Sequence, residues 1–451
     1  MGEPAADWTS ALCATSPASL TARERRAVEV LVADALGVAA AGQTAPGVAT
    51  ALSGWEQDLG QGPVRLPWTN ASLPAPAAAA ALSALIHAWD FDDTHDSAVV
   101  HTSCVALPAA LAVASAHARS GADVFAGVLV GVQVLARVSA AIGGQRGMIR
   151  TAGLGALGAA AAAARTLGLA PEQFTHALGL ALSATGSAMT RQVVAEGSPA
   201  KRLQPSFAVQ AGVSAALLAA RGAPGPTGWL DGEYGVLALR ADGDTAGALA
   251  GIRAPGWEVA GLSLKPYPAC RYTHAAIDAV LGVRAEEIEH VAVHVPAGPA
   301  YALVARPFRW RGQPVADVQF SIPWLVAAAL RTGTVDLASL RDPVLGDHRI
   351  ERLAARVQVL QDLPAQVGMA PAEVELVRTD GSVERRRADM PGSPEHPMTM
   401  AQVEAKTTAC VRIGGRGSGA ARRISNFSTE LAELDGAGFR TALAMIDTQE
   451  S

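Results

Sequence analysis

Glu289-His-Val-Ala-Val-His-Val-Pro296 is where this 451-residue chain changes character. Val291, Val293 and Val295 recur at every second position and so share one face of an extended strand. Residues 356–361, Arg-Val-Gln-Val-Leu-Gln, repeat the habit. Residues 372–385 hold two alternating arms around Asp380-Gly381, a dipeptide suited to the positive-φ positions of a hairpin turn. Between these strands, residues 315–332 read as a helix that Pro323 should kink or restart.

Before about residue 264 the period is helical. Thr21-Ala-Arg-Glu24 is a capping box in front of Ala27, Val28, Leu31, Ala35 and Val38, and that helix should end near Gly42. Further helical runs lie at residues 76–89, 108–117, 123–142, 151–167, 171–183 and 206–220, each bounded by Gly, Pro or a capping residue. Past Pro397 helix returns, from a second capping box at Thr399-Met-Ala-Gln402 to a final helix over 429–446, with residues 414–421 expected as a flexible loop. The expected fold is mainly α. Residues 1–264 plus 398–451 would form a large all-α helical domain, and residues 265–397 a smaller inserted α+β domain.

Composition narrows the function classes. Half the residues are hydrophobic but only 4% are aromatic, so the core must be built from Ala, Leu and Val in close-packed helices. The longest apolar stretch, residues 152–164, falls short of the roughly 20 residues of a membrane span. The first residues lack a basic region followed by an apolar core, so no secretory signal is expected. A formal charge of -5, with no basic run beyond Arg385-Arg386-Arg387, argues against nucleic acid as a partner. Cys13, Cys104, Cys270 and Cys410 are scattered without C-x-x-C spacing, which suits a reducing cytoplasm.

Against that sparsely charged background, His87-Ala-Trp-Asp-Phe-Asp-Asp-Thr-His-Asp-Ser-Ala-Val-Val-His101 concentrates Asp90, Asp92, Asp93, His95 and His101 in one segment. Acids and imidazoles at that density can share the taking and returning of a proton, so this is the candidate active-site loop. Asp90 closes a helix, where its charge is unfavourable unless a cation compensates. The bland reading is that Asp92, Asp93 and Asp96 cap neighbouring helices. His87, Asp90, His95 and His101 could also ligate a metal, but no metal-binding spacing is present and none is expected.

Three other segments are weighed, the first of them a decoy. Gly153-Leu-Gly-Ala-Leu-Gly158 matches a dinucleotide fingerprint in form only: no strand precedes it, and its glycines are expected to let helices approach closely. Lys201 and Arg202 precede a helix, where an ammonium can hold a carboxylate or stabilise an enolate-like transition state; the alternative is surface solvation. Residues 264–278 gather Lys265, Cys270, Arg271, Tyr272 and His274 at the boundary between the two expected domains, where clefts form. There a Cys270-His274 nucleophile is weighed against a small buried cysteine and a helix-capping histidine.

Together these segments resemble the MmgE/PrpD family, which includes 2-methylcitrate dehydratase, cis-aconitate decarboxylase and iminodisuccinate epimerase. The resemblance rests on the His87–His101 segment, Lys201-Arg-Leu with Arg221-Gly-Ala-Pro-Gly-Pro, Lys265-Pro-Tyr-Pro-Ala-Cys with His274, Phe320-Ser-Ile-Pro-Trp324, and Met390-Pro-Gly-Ser-Pro with Lys406. It implies a homodimer, an interdomain site without metal or cofactor, catalytic roles for Asp90, Thr94, His101 and Lys201, and binding of a small polycarboxylate by Lys265. Cys270, His274, Arg150 and Trp324 join the expected substrate-binding set. The chain departs from the decarboxylase pattern at Ile149 and Cys270, where histidines are usual, and at Trp324, where a tyrosine is. The expected activity is a cofactor-independent lyase of the 2-methylcitrate dehydratase type. An epimerase, a decarboxylase and a noncatalytic binding protein are its rivals.

Overall fold

Helix α1 (Ala22–Gly42) begins at Thr21, whose hydroxyl accepts from the Glu24 amide while the Glu24 carboxylate accepts from the Thr21 amide. The computed structural model describes residues 4–69, 71–143, 147–185, 192–240, 242–298, 301–366 and 368–448. The helices that follow are α2 (Ala75–His87), α3 (Ser103–His117), α4 (Gly121–Ile142), α5 (Arg150–Leu167), α6 (Pro171–Leu182) and α7 (Gln204–Ala220). Helix α5 sits at their centre, packed against α3, α4, α6 and α7.

The glycines of α5 do what their spacing promised. A Cβ on Gly158 would lie 2.9 Å from Leu135 Cβ, and one on Gly212 of α7 would lie 2.4 Å from Ala156 O, so neither face has room for a side chain. The alanine-rich composition thus becomes short interaxial distance, and burial follows from helix–helix contact.

One helical start and one apolar run differ from the periodic reading. Helix α3 opens at Ser103, not near Pro108, because the Asp93 carboxylate accepts from the Thr102 and Ser103 amides (3.0 and 2.8 Å) and the Thr102 hydroxyl (2.7 Å). Capping of this kind stabilises by about 1 kcal/mol. Helix α4, with α7 and the turn before it, is long and apolar enough to cross a membrane by length and composition, which a search for unbroken apolar runs misses because Gln133 and Arg137 interrupt α4. In the fold α4 is mostly enclosed by α3 and α5.

After a short antiparallel pairing of Thr94-His95 with Leu262-Ser263 come α8 (His274–Val280), α9 (Pro314–Gln319) and α10 (Ile322–Thr332). Pro323 restarts the chain as expected: helix breaks at Phe320-Ser321, and Ser321 caps α10 through the Trp324 amide. The strands β1 (Ile288–Pro296), β2 (Val357–Leu363), β3 (Ala372–Arg378) and β4 (Val383–Ala388) form one sheet in the order β2-β1-β3-β4. The β1–β2 pair is parallel and the other two are antiparallel. Val291, Val293 and Val295 are fully buried, and α8 and α10 cover the sheet.

The tail is helical but more broken than its pattern suggested. Helix α11 (Met400–Ile413) and α12 (Gly419–Glu430) pack on α1, so residues 419–421 are helix where a loop was expected. The expected helix over 429–446 ends early and restarts as α13 (Gly436–Met445), because Asp435 caps the Gly438 amide.

Candidate active site

Helix α2 delivers the polar loop into the interior. Its last residue, His87, is buried, and the chain then reverses through Asp90, whose φ of 51° lies in the left-handed region. Asp tolerates that conformation better than most side chains, yet it still costs about 1 kcal/mol or more and must be held by its surroundings. Two ammonium groups hold it. Asp90 Oδ1 accepts from Lys201 Nζ at 2.9 Å and from Lys265 Nζ at 2.7 Å, and Lys265 also donates to the Asp90 carbonyl at 2.8 Å.

His101 Nε2 stands 3.8 Å from Asp90 Oδ1. Its Nδ1 lies 2.8 Å from the Asp93 carbonyl oxygen, which can only accept; Nδ1 therefore carries the hydrogen and Nε2 presents a lone pair. The same logic fixes His87. Lys201 Nζ donates to its Nε2 at 2.9 Å, so Nδ1–H donates to Asp92 Oδ2 at 2.8 Å. An Asp92–His87–Lys201–Asp90–Lys265 chain of polar contacts results, with His101 beside it.

Electrostatics follow from this packing. Burial pushes the Asp90 carboxyl up, but Lys201 and Lys265 override it and hold the group well below the usual carboxylate range. Asp92 behaves likewise: burial raises it, and His87 and His101 bring it below that range. Burial lowers His101, Lys265, His87 and Lys201 lower it further against the pull of Asp92, and the imidazole falls to about 3. The site at neutral pH thus offers a neutral imidazole base beside paired charges.

A folded-state value near 3 against about 6.5 in the unfolded chain means that the folded protein binds fewer protons in between. The His101 contribution to stability is complete above about pH 6.5 and is lost as pH falls toward 3. Asp34 and Asp93, whose carboxyls burial raises, act with the opposite sign. Urea unfolding from pH 7.5 to 4 should therefore show a steeper acid loss of stability in wild type than in His101→Gln; equal slopes would contradict the assigned imidazole environment.

His87, Asp90, Asp92 and His101 also place four ligand-type atoms within 4.8 Å of one another. Asp90 Oδ1 already carries two ammonium contacts, and both His87 nitrogens are engaged. A cation there would meet those ammonium groups at a few ångströms, where unit charges repel by about 4 kcal/mol at an effective dielectric constant of 20. The donor set suits proton transfer better than a metal.

The other expected site residues are placed as follows. Thr94 is buried, and its hydroxyl has no hydrogen-bond partner among the described residues. Cys270 is partly buried, and desolvation with the Asp90 charge pushes its thiol up to about 11, the reverse of what a nucleophile needs. His274 begins α8 without capping it: Nε2 lies 3.2 Å from the Ala269 carbonyl and Nδ1 3.4 Å from Arg271 Nη1. Arg150 spends Nη1 on the carbonyls of Ala98 and Ser139, and Trp324 is buried in α10 with Phe308 for a neighbour. Backbone carbonyls hold Arg150 and core packing holds Trp324, whereas His274 lies near the cluster: burial, Arg271 and Lys265 lower its imidazole and Asp90 pulls against them. Ile149 precedes α5, and Arg146 lies outside the described residues.

Within the loop, Asp93 is the helix cap that the bland reading allowed. His95 turns to Glu258 (2.7 Å), and Asp96 accepts from Arg271 Nε and Nη2 (3.1 and 2.9 Å). Gln319 ties the two sides of the site together, donating to the carbonyls of Trp89 (2.6 Å) and Pro268 (3.0 Å). Lys406, from α11, which the resemblance singled out without a role, supports the loop. Its Nζ contacts Asp34 Oδ1 (2.8 Å), donates to the Phe91 carbonyl (2.8 Å) and lies 4.0 Å from the Phe91 ring centroid. The available signal was Asp34 itself, an acid on the apolar face of α1.

A narrow pocket with about 10 Å³ of free space adjoins the cluster, and its lining includes His87, Asp90, Lys201, Arg202, Val194 and Phe320. Residues 6–248 match the model of the MmgE/PrpD N-terminal domain, and residues 267–431 that of the MmgE/PrpD C-terminal domain. The second match runs through α11 and α12, which pack on α1. The chain is 27% identical over 377 residues to the cis-aconitate decarboxylase of Homo sapiens, covering 78% of this chain and 74% of the human one. It is 36% identical over 172 residues to the cis-aconitate decarboxylase-like protein oryM of Aspergillus oryzae, covering 36% and 35% of the two chains. Likeness to the cis-aconitate decarboxylase of Aspergillus terreus is 31% over 221 residues, 45% of this chain and 44% of the fungal one.

Proposed function

The chain belongs to the MmgE/PrpD family, and from that premise we propose that it is a lyase acting on a small di- or tricarboxylate with its own side chains as acid and base. One observation carries the reading: a neutral His101, its Nε2 unprotonated, sits beside an Asp90 carboxylate clamped by two lysines. His101 Nε2 takes the proton next to a substrate carboxylate. Lys201 and Lys265 hold that carboxylate and spread the negative charge that develops, an interaction strongest in the transition state. As the carbon–carbon double bond forms, the carbon–oxygen bond breaks, and Lys201 supplies a proton so that hydroxide leaves as water. The proton gained by His101 balances the one given by Lys201. Asp90 orients both ammonium groups, and the Thr94 hydroxyl offers a hydrogen bond to the substrate.

This is elimination of the 2-methylcitrate dehydratase type. Decarboxylation is the second reading, supported by the names of the relatives. Elimination is preferred because His101 is poised to accept a proton, whereas a decarboxylase must deliver one to the carbanion left by carbon dioxide. An epimerase would use the same base and expel nothing. We further propose two domains, residues 1–264 with 398–451 and residues 265–397, meeting at this site in a homodimer; the cytoplasm as the setting fits four free cysteines.

Incubation with 2-methylcitrate, citrate and cis-aconitate in deuterated water, followed by NMR and carbon dioxide trapping, separates the readings. Elimination gives an unsaturated acid and no carbon dioxide. Trapped carbon dioxide would assign decarboxylation, inversion with deuterium uptake epimerisation, and inertness toward every acid would overturn the proposal.

A further inference from the structure

Among the described residues that line the pocket, Arg202 is the one cation that the proposed chemistry leaves unused. It follows Lys201 in the turn Pro199–Arg202 and is 5% exposed. Its Nε donates to the Ala88 carbonyl at 2.6 Å, while Nη2 is buried and has no hydrogen-bond partner among the described residues. Leaving a charged donor desolvated and unpaired is costly, and a native fold keeps such a group where a ligand will complete it.

Charge balance points the same way. Lys201, Lys265 and Arg202 face two acids, Asp90 and Asp92, and Asp90 Oδ1 is already occupied by both lysines. Burial lowers the Arg202 guanidinium to about 10 against the pull of Asp90, so it remains charged at neutral pH. Arg202 is therefore left without a carboxylate contact of its own among the described residues. Guanidinium suits a carboxylate because its planar donors match the spacing of the two oxygens. Beyond the charged groups the wall is mostly apolar, with Val193, Val194, Ala316 and Phe320, and its remaining polar side chains are Ser198 and Gln319.

We infer that Arg202 is a specificity-determining residue, receiving a second substrate carboxylate at Nη2, with a short aliphatic branch of the substrate lying against Val193, Val194 and Ala316. The inference rests on the proposed carboxylate chemistry and names its substrate class: a branched, short-chain acid with at least two carboxylates, one on the lysines and one on Arg202.

The test is a ligand-against-variant cycle. Binding of methylsuccinate and of its two monoamides is measured by calorimetry for wild type, Arg202→Gln and Arg202→Lys. Wild type should bind the diacid more tightly than at least one monoamide by roughly 10- to 100-fold, the range for a charge-assisted hydrogen bond. Arg202→Gln should shrink that gap to roughly threefold or less, and Arg202→Lys should leave an intermediate gap. Loss of the Ala88 contact alone would weaken diacid and monoamide equally, so an undiminished gap in both variants overturns the inference while leaving the lyase reading intact. Should Arg202→Gln fail to fold, Arg202→Lys decides by the same gap. If wild type binds none of these acids, the inference and the carboxylate reading fall together. If the gap behaves as expected but 2-methylcitrate, citrate and cis-aconitate are all left unchanged, Arg202 stands and the lyase reading fails.

Discussion

Asp90→Asn is expected to lower stability by about 3–5 kcal/mol, the usual cost of removing one partner from a buried ion pair, and to reduce turnover to background. Lys265 is fully buried, and Lys201 nearly so; both direct their ammonium groups at the same carboxylate oxygen. An amide in that position is isosteric but uncharged. It would leave two cations in the interior with only neutral acceptors, the amide oxygen, the backbone carbonyl of residue 90 and His87. The lysines must then lose protons or admit water, and either outcome removes the charge that stabilises the developing carbanion. Urea unfolding at pH 7 measures the first effect, and product formation the second. Near-wild-type stability would show that the Asp90 charge is not what keeps the lysines buried.

His101→Ala is expected to lower kcat by roughly 100- to 10,000-fold, the span that positioned acid–base groups supply, with a much smaller change in KM. The carboxylate-holding cations are left in place by this change, so binding should persist. Because the imidazole is neutral down to about pH 3, wild-type kcat/KM should show no loss near pH 6.5 attributable to His101; the base is already unprotonated there. Exogenous imidazole should restore part of the rate to the alanine variant. Full turnover without His101 would move the base elsewhere in the loop and leave the assigned tautomer without a catalytic purpose.

Where local rules govern, the sequence was legible. The capping boxes at Thr21 and Thr399, the hairpin at Asp380-Gly381 and the restart at Pro323 all depend on residues within a few positions of each other. Lys201, Lys265, Asp90 and His101 could be singled out by type, although only the fold shows that they meet. What escaped depends on partners far along the chain or on atomic detail. The start of α3 is set by Asp93 ten residues upstream, and α13 restarts because one carboxylate captures a nearby amide in preference to an unbroken helix. His87 looked like a spare ligand until both nitrogens acquired partners, and Arg202 looked like a surface neighbour of Lys201 until its guanidinium proved buried. Arg150 and Trp324 were drawn into the expected site because of their place in a familiar pattern. Backbone carbonyls and core packing claim them instead.

The Lys406 contact with the Phe91 carbonyl spans 315 residues of sequence. A ribosome emitting this polypeptide exposes the acidic loop long before the ammonium that braces it has been synthesised. Until then Asp34 lacks the counter-ion it has in the folded protein. Bracing of the loop therefore waits for residue 406, and a fragment that stops short of α11, however helical, would carry the loop unbraced.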